Sequence, residues 1–140
     1  MKPAEIDLYH ELICYTLAHG DPSFIHQHVV DAFAAQCADE CSKPNAVTFA
    51  LVGLFLHLEK SYTGRHVQLA HMNLARRRKD WVMPPMPPDR GNLRVCDVLA
   101  AEAGPMRDAA IHEWCASVWD AWKPSQPVIV ALVRETLGIS

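Results

Sequence analysis

Apolar residues recur at intervals of three and four along most of this chain, which is the spacing of one face of an α-helix. Strict alternation of apolar and polar residues, which is typical of half-buried strands, is rare. The pattern predicts helices over residues 3–18, 24–38, 46–60, 64–81, 95–103, 105–122 and 125–137. We therefore predict an all-α protein, an antiparallel bundle of about four core helices with additional C-terminal helices.

The third predicted helix has the strongest pattern. Its residues 47–58 are apolar on nearly every side and carry one ionisable side chain, that of His57. A helix without a polar face is buried by neighbours all round. The segment is too short to cross a bilayer, which needs ~20 apolar residues, so it predicts a core helix with a largely buried His57. Gly53 and Ala50 share a face with His57 and would let a neighbouring helix approach closely.

The turns carry residues that end and begin helices. Gly20 follows the first helix, Asn45 is placed to cap the third and Thr63 to cap the fourth. Four prolines and a glycine within residues 82–92 predict an irregular connection that packs along the bundle.

The fourth predicted helix combines a stripe on one face with a basic end. The stripe consists of Val67, Ala70, His71, Leu74 and Arg78. The basic residues at 76–79 fall in its last turns, where they suit the helix dipole. We favour that explanation over a nucleic-acid-binding patch.

Composition narrows the class of protein. A length of 140 residues fits a single domain, 1–140, and 50% hydrophobic with 21% charged residues is an ordinary globular mixture. A net charge of −3 argues against a nucleic-acid partner. No apolar leader is visible, and five cysteines in no disulfide-like array indicate reduced thiols. The sequence therefore predicts a cytoplasmic protein with no membrane partner.

The candidate chemistry lies in the eight histidines. Antiparallel helices bring His28, His57 and His71 to similar depths at one end of the bundle, whereas His112 falls outside that half. Three imidazoles and a water resemble a catalytic zinc or iron site, so we predict a divalent metal held by these three residues. Asp31 or Glu59 would act as the catalytic base for a metal-bound water attacking a small molecule.

Two further side chains, His10 and Cys14, are candidate supporting or substitute ligands, because they share the apolar face of the first helix. Two alternatives to the metal stay open: a polar, histidine-lined pocket without metal, and histidines with structural roles only. No HExxH, CxxC, GxSxG or phosphate-binding glycine loop occurs.

A second hypothesis comes from a different class: a non-catalytic helical binding or interaction protein. Trp114, Trp119 and Trp122 recur along one predicted helix and could form part of the core, a homodimer face or an aromatic cage.

Four ordered strings resemble a known family: DPSFIHQHVVDAFAAQ at 21–36, GLFLHLEKSYTGR at 53–65, RGNLRVCDVLAA at 90–101 and WCASVWDAW at 114–122. They are similar to an uncharacterised bacterial family of small helical proteins with a domain of unknown function. Longer members of that family begin with a CPGC-type segment suited to zinc. This sequence does not contain that segment, so a metal role tied to it is not carried over. The resemblance implies a helical fold and no particular activity.

Overall fold

The computed structural model describes residues 3–77 and 79–140, and this part of the chain forms helices without any strand. The helices are α1 (Pro3–His19), α2 (His26–Gln36), α3 (Pro44–Lys60), α4 (Gly64–Ala75), α5 (Val95–Ala100), α6 (Pro105–Ala121) and α7 (Gln126–Leu137), with a 3-10 turn at Lys123–Ser125. The all-α prediction is confirmed.

Two antiparallel helices, α2 and α3, form the centre of the fold. His28 of α2 lies opposite His57 of α3, and Asp31 lies opposite Gly53. Residue numbers rise along one helix as they fall along the other, so the helices run in opposite directions. α6 packs against both of them, α1 packs on α2 and α5, and α4 packs on α2, α3 and α7. α6 therefore belongs to the centre, although the sequence predicted it as an addition.

The tryptophans of α6 and of the turn after it belong to the hydrophobic core. Trp114 and Trp122 are fully buried, and Trp119 keeps 6% of its surface exposed. The indole N–H groups of Trp114 and Trp122 donate to the side chain of Gln36 at 3.0 Å and to the carbonyl of Ala35 at 3.2 Å. These bonds fix α6 to α2. The interpretation of the tryptophans as a dimer face or an aromatic cage is therefore wrong.

The proline-rich connection packs along the helices, as predicted. Pro84 and Pro87 are buried, and the hydroxyl of Ser125 donates to the carbonyl of Pro85 at 2.6 Å. Burial of proline suits this segment because proline has no backbone N–H that would need a partner.

α4 begins as predicted and ends early. The hydroxyl of Thr63 accepts a hydrogen bond from the backbone N–H of His66 at 3.2 Å, which confirms Thr63 as the N-cap. The helix ends at Ala75 instead of residue 81. Arg78, which the sequence placed on the stripe of this helix, lies outside the described residues.

Asn45 accounts for the early end of α4. Its side-chain amide donates to the carbonyl of Lys79 at 2.8 Å and accepts from the N–H of Trp81 at 2.9 Å. These bonds hold the chain after α4 against the start of α3 in a non-helical path. The prediction that Asn45 caps α3 is wrong, because Lys43 is at that position and Pro44 occupies the first turn.

An Asn45→Ala variant should lose about 1–2 kcal/mol of unfolding free energy, because both backbone groups lose a partner. Urea unfolding followed by circular dichroism would measure the loss. Asn92→Ala is the matched control, since Asn92 is exposed, and its effect should stay within about 0.5 kcal/mol. Equal stability of the two variants would contradict the role given to Asn45.

One hydrophobic core receives side chains from all seven α-helices. None of the helices in residues 3–77 and 79–140 has the length and apolar character needed to cross a membrane. A single domain over 1–140 stays a prediction.

Candidate histidine site

The imidazole rings of His28 and His57 stack face to face between α2 and α3. Their centroids lie 3.5 Å apart and their planes differ by 15°. His28 is in the first turn of α2 and His57 is in the last turn of α3, so antiparallel packing brings the two rings together. The sequence predicted that these two residues would meet.

His57 has a defined proton position. Its Nδ1 atom lies 3.3 Å from the carbonyl oxygen of Tyr62. A carbonyl oxygen only accepts hydrogen bonds, so Nδ1 carries the proton and Nε2 keeps a lone pair. Burial lowers the pKa of His57 by more than the bond to Tyr62 raises it. The ring is half-buried, which is less enclosed than the sequence predicted.

His28 is the most enclosed member of the pair. It keeps 4% of its surface exposed, and its Nδ1 atom is buried without a hydrogen-bond partner. Its pKa is lowered to about 3, chiefly by burial and also by the neighbouring His57 and His112, whereas Asp21 acts in the opposite direction. His28 is therefore neutral at physiological pH, and a ring held so close to another imidazole must be neutral to avoid repulsion.

A third imidazole, that of His112 on α6, meets the edge of this pair. Its centroid is 5.4 Å from that of His57, and the two ring planes lie at 84°. His112 is exposed, so it forms the outer side of the group. We call His28, His57 and His112 the histidine cluster.

The sequence pattern predicts His112 outside the site, because it predicts α6 as an addition to a four-helix core. A weak signal was present. His112 follows Ile111, an apolar residue at helical spacing from Cys115 and Val118, and such a position lies at the edge of an apolar face. The packing partner of that face could not be read from spacing alone.

His71 does not join the cluster, although the sequence predicted that it would. Its Nε2 atom donates to the carbonyl of Phe49 at 2.7 Å, and its ring lies against that of Phe49. Phe49 precedes His57 by eight residues in α3, which is about 12 Å along the helix at ~1.5 Å per residue. An imidazole fixed there is too far from His57 to share an ion with it.

Asp31 has a different role from the predicted one. Its Oδ1 atom accepts from the side-chain amide of Gln27 at 3.1 Å, and its Oδ2 atom is buried without a partner. The carboxyl group therefore does not orient the imidazole of His28. It lies against the backbone of Gly53, where a Cβ atom would be 1.9 Å from Oδ2. Burial raises the pKa of Asp31 well above its ordinary value.

The remaining predicted residues lie away from the cluster. Glu59 is exposed, and as the second residue after His57 it points to another side of α3. His10 and Cys14 are exposed on α1. The structure therefore gives no support for a base or a substitute ligand at these positions.

The cluster in this arrangement does not fit a shared metal ion. An imidazole binds zinc in the plane of its ring at ~2.0–2.1 Å. The planes of His28 and His57 are nearly parallel and stacked, so one ion cannot lie in both of them. Within residues 3–77 and 79–140, no group of three or more His, Cys, Asp or Glu side chains is arranged to hold an ion. Binding of a metal would require one of the rings to rotate.

Comparison with known proteins identifies a family. A family model whose description is a family of unknown function, DUF5946, matches residues 6–123. The chain belongs to DUF5946. The matched range includes every member of the histidine cluster, so the cluster lies within the family domain. No curated protein and no solved structure matches this DUF5946 chain.

Proposed function

We propose that the histidine cluster of this DUF5946 protein binds a small polar molecule and exchanges a proton with it, as the acid–base site of a cytoplasmic enzyme. The imidazoles of His28 and His57 suit this task, because their lowered pKa values keep them neutral and each then offers one N–H donor and one lone pair.

The observation that carries the proposal is the buried Nδ1 atom of His28, which has no hydrogen-bond partner. Burying a polar atom without a partner costs about 1–3 kcal/mol. If this residue had a structural role only, an apolar side chain at the same place would make the protein more stable. A bound molecule that hydrogen-bonds to Nδ1 would offset this cost and would explain why an imidazole occupies the position.

The neighbouring residues have matching roles in this proposal. His57 would act as the base, because its bond to Tyr62 keeps the proton on Nδ1 and leaves the lone pair of Nε2 available. His112 would make the first contact with the molecule, since it is the exposed member of the cluster. Asp31 and Glu59 have no part in the proposal.

A divalent metal such as zinc is the second candidate for the same site. The observation that favours it is the bond from His57 to a backbone carbonyl, which is the support that metal-binding imidazoles usually have. In that case His57 and His112 would hold the ion after rotation of one ring, and the metal would supply a Lewis acid or an activated water.

A His28→Leu variant should unfold with a free energy about 1 kcal/mol higher than the wild type, because the buried atom without a partner is removed. His71→Leu is the matched control. It should lose about 1–2 kcal/mol, because the carbonyl of Phe49 loses its donor. Chemical denaturation at pH 7 would measure both. A loss of stability in His28→Leu as large as in His71→Leu would mean that His28 is structural.

Binding experiments distinguish a site for a small polar molecule from a site for a divalent metal. Cobalt(II) and zinc added to metal-free protein should raise the melting temperature only if the site holds an ion, and His57→Ala should abolish the rise. Without a metal effect, a thermal-shift survey of small polar metabolites should find a compound that stabilises the wild type and His71→Leu but not His57→Ala. A survey in which every stabilising compound acts equally on all three proteins would contradict the proposed site.

A further inference from the structure

Charge is unevenly distributed along this chain. Residues 3–42 contain seven acidic residues and no lysine or arginine, whereas residues 60–79 contain six basic residues and no acidic one. The first range includes α1 and the second includes α4. A protein with a net charge of −3 therefore has one strongly acidic and one strongly basic part.

The exposed face of α4 combines basic and apolar side chains. Arg65, Leu69, Met72 and Arg76 follow one another at helical spacing, and all are exposed. Leu69 keeps 57% and Met72 keeps 55% of its surface exposed. Two surface grooves, of ≈ 460 and ≈ 530 Å³, lie beside Leu69 and share it as a lining residue. Large apolar side chains beside grooves are typical of a docking surface.

The exposed face of α1 has the complementary character. Asp7, Glu11 and Cys14 are exposed along one stripe, and they repeat the spacing of the first three residues of the α4 stripe. Leu17, with 56% of its surface exposed, and Ile6, with 38%, lie beside them. The N-terminal half of this face is acidic, and its C-terminal half is apolar.

These properties indicate what covers each face. Two α4 faces would bring arginines against arginines, and two α1 faces would bring carboxylates against carboxylates. An α1 face against an α4 face pairs opposite charges and also pairs apolar side chains. Within one molecule α1 and α4 each pack on α2, and the residues of both faces stay exposed, so the complementary contact requires a second molecule.

We propose that this protein associates with itself head to tail, with the α1 face of one copy docked on the α4 face of the next. In an antiparallel arrangement Arg76 lies by Asp7 and Glu11, and Met72 and Leu69 lie by Cys14 and Leu17. Arg65 then reaches the C-terminal end of α1, where the helix dipole favours a cation.

The contact has defined properties. One helix face covers less area than a stable interface of ~1,600 Å² total, so the association is weak and reversible. Because the two faces differ, the contact is heterologous and generates rings or open chains of copies instead of a symmetric pair. This association is independent of the histidine cluster.

Sedimentation velocity tests the association. The average mass of the wild type should rise with concentration up to about 1 mM at about 20 mM salt, and the rise should weaken at about 500 mM salt. Arg134→Glu on α7 and Glu113→Lys on α6 are exposed controls outside both faces and should not change it. A wild type that stays monomeric throughout overturns the proposal, even if it binds phosphatidylserine vesicles or duplex DNA.

A charge exchange tests the surfaces. Asp7→Lys with Glu11→Lys makes both faces basic, and Arg65→Glu with Arg76→Glu makes both acidic. Each double variant alone should associate at least about tenfold more weakly than the wild type, and their equimolar mixture should regain association. Recovery also proves that both variants fold.

A second variant of the α4 face controls for misfolding. Arg65 contacts the ring of Phe24, so Leu69→Glu with Arg76→Glu, which leaves Arg65 in place, should give the same results. Circular dichroism confirms the helical fold of each variant before mixing. Variants that associate like the wild type, or folded variants whose mixture stays monomeric, overturn the assignment of the two faces.

Discussion

A Gly53→Ala variant should be less stable than the wild type by about 2–3 kcal/mol, although alanine in a helix interior normally gains ~1 kcal/mol over glycine. The added Cβ atom would lie 1.9 Å from Oδ2 and 2.6 Å from Cγ of Asp31, and 3.2 Å from a methyl group of Val67. Rotation of the Asp31 side chain does not relieve this contact easily, because Asp31 keeps only 3% of its surface exposed and is enclosed by its neighbours. α2 and α3 would have to move apart.

A double-mutant cycle isolates the cause. Adding Asp31→Ala to Gly53→Ala removes the colliding carboxyl group, so the double variant should lose at least about 1 kcal/mol less than the sum of the single variants. Ala34→Gly on the exposed side of α2 measures the intrinsic helix preference of alanine over glycine, and it should cost about 1 kcal/mol of unfolding free energy. Guanidinium unfolding of the four proteins completes the comparison. If Gly53→Ala is as stable as the wild type, the close approach of the two helices is not real.

The contact between α2 and α3 shows what helical spacing can predict. Gly53 and Ala50 share a face with His57, and small residues on a helix face indicate that another helix approaches closely there. Antiparallel neighbours then place the start of α2 beside the end of α3, which correctly brought His28 to His57. These are local properties of adjacent helices, and adjacent helices joined by short turns are the easiest packing to infer.

The errors arose where packing partners are distant in sequence. His71 was placed by counting residues from a turn, which gives depth along the helix and not the direction of the ring. The ring instead points to Phe49, where its Nε2 atom donates a hydrogen bond to the backbone carbonyl. His112 was missed because its neighbours lie on α2 and α3, and nothing in the sequence shows that α6 packs against both of these helices.

Asn45 illustrates a different kind of error. Its position before an apolar run is typical of a helix cap, and its side-chain amide does form hydrogen bonds with backbone groups. The groups that it holds are those of Lys79 and Trp81, more than thirty residues away. Residue type predicted the chemistry of this side chain, while the choice of partner depended on the tertiary fold.

The free energy of unfolding should depend on pH through Asp31. Burial raises the pKa of this carboxyl group well above its ordinary value in the folded protein, whereas the unfolded chain titrates near ~3.9. The folded state therefore holds a proton that the unfolded state has lost. The stabilisation is fully present below pH ~3.9 and is lost as pH rises toward the native pKa, by up to about 1.4 kcal/mol per pH unit.

An Asp31→Asn variant removes this titration and keeps an oxygen that accepts from Gln27. The difference in unfolding free energy between variant and wild type should therefore increase in favour of the variant as pH rises from 4 to 8, by at least about 1.4 kcal/mol in total. The contribution of the buried histidines cancels in this difference, because they lower the stability of both proteins equally as pH falls below ~6.5. Asp80→Asn, at an exposed carboxylate, is the matched surface control. Parallel curves for Asp31→Asn and the wild type across this range would mean that Asp31 titrates normally. The enclosed carboxyl between α2 and Gly53 would then have to be open to water, contrary to the packing described above.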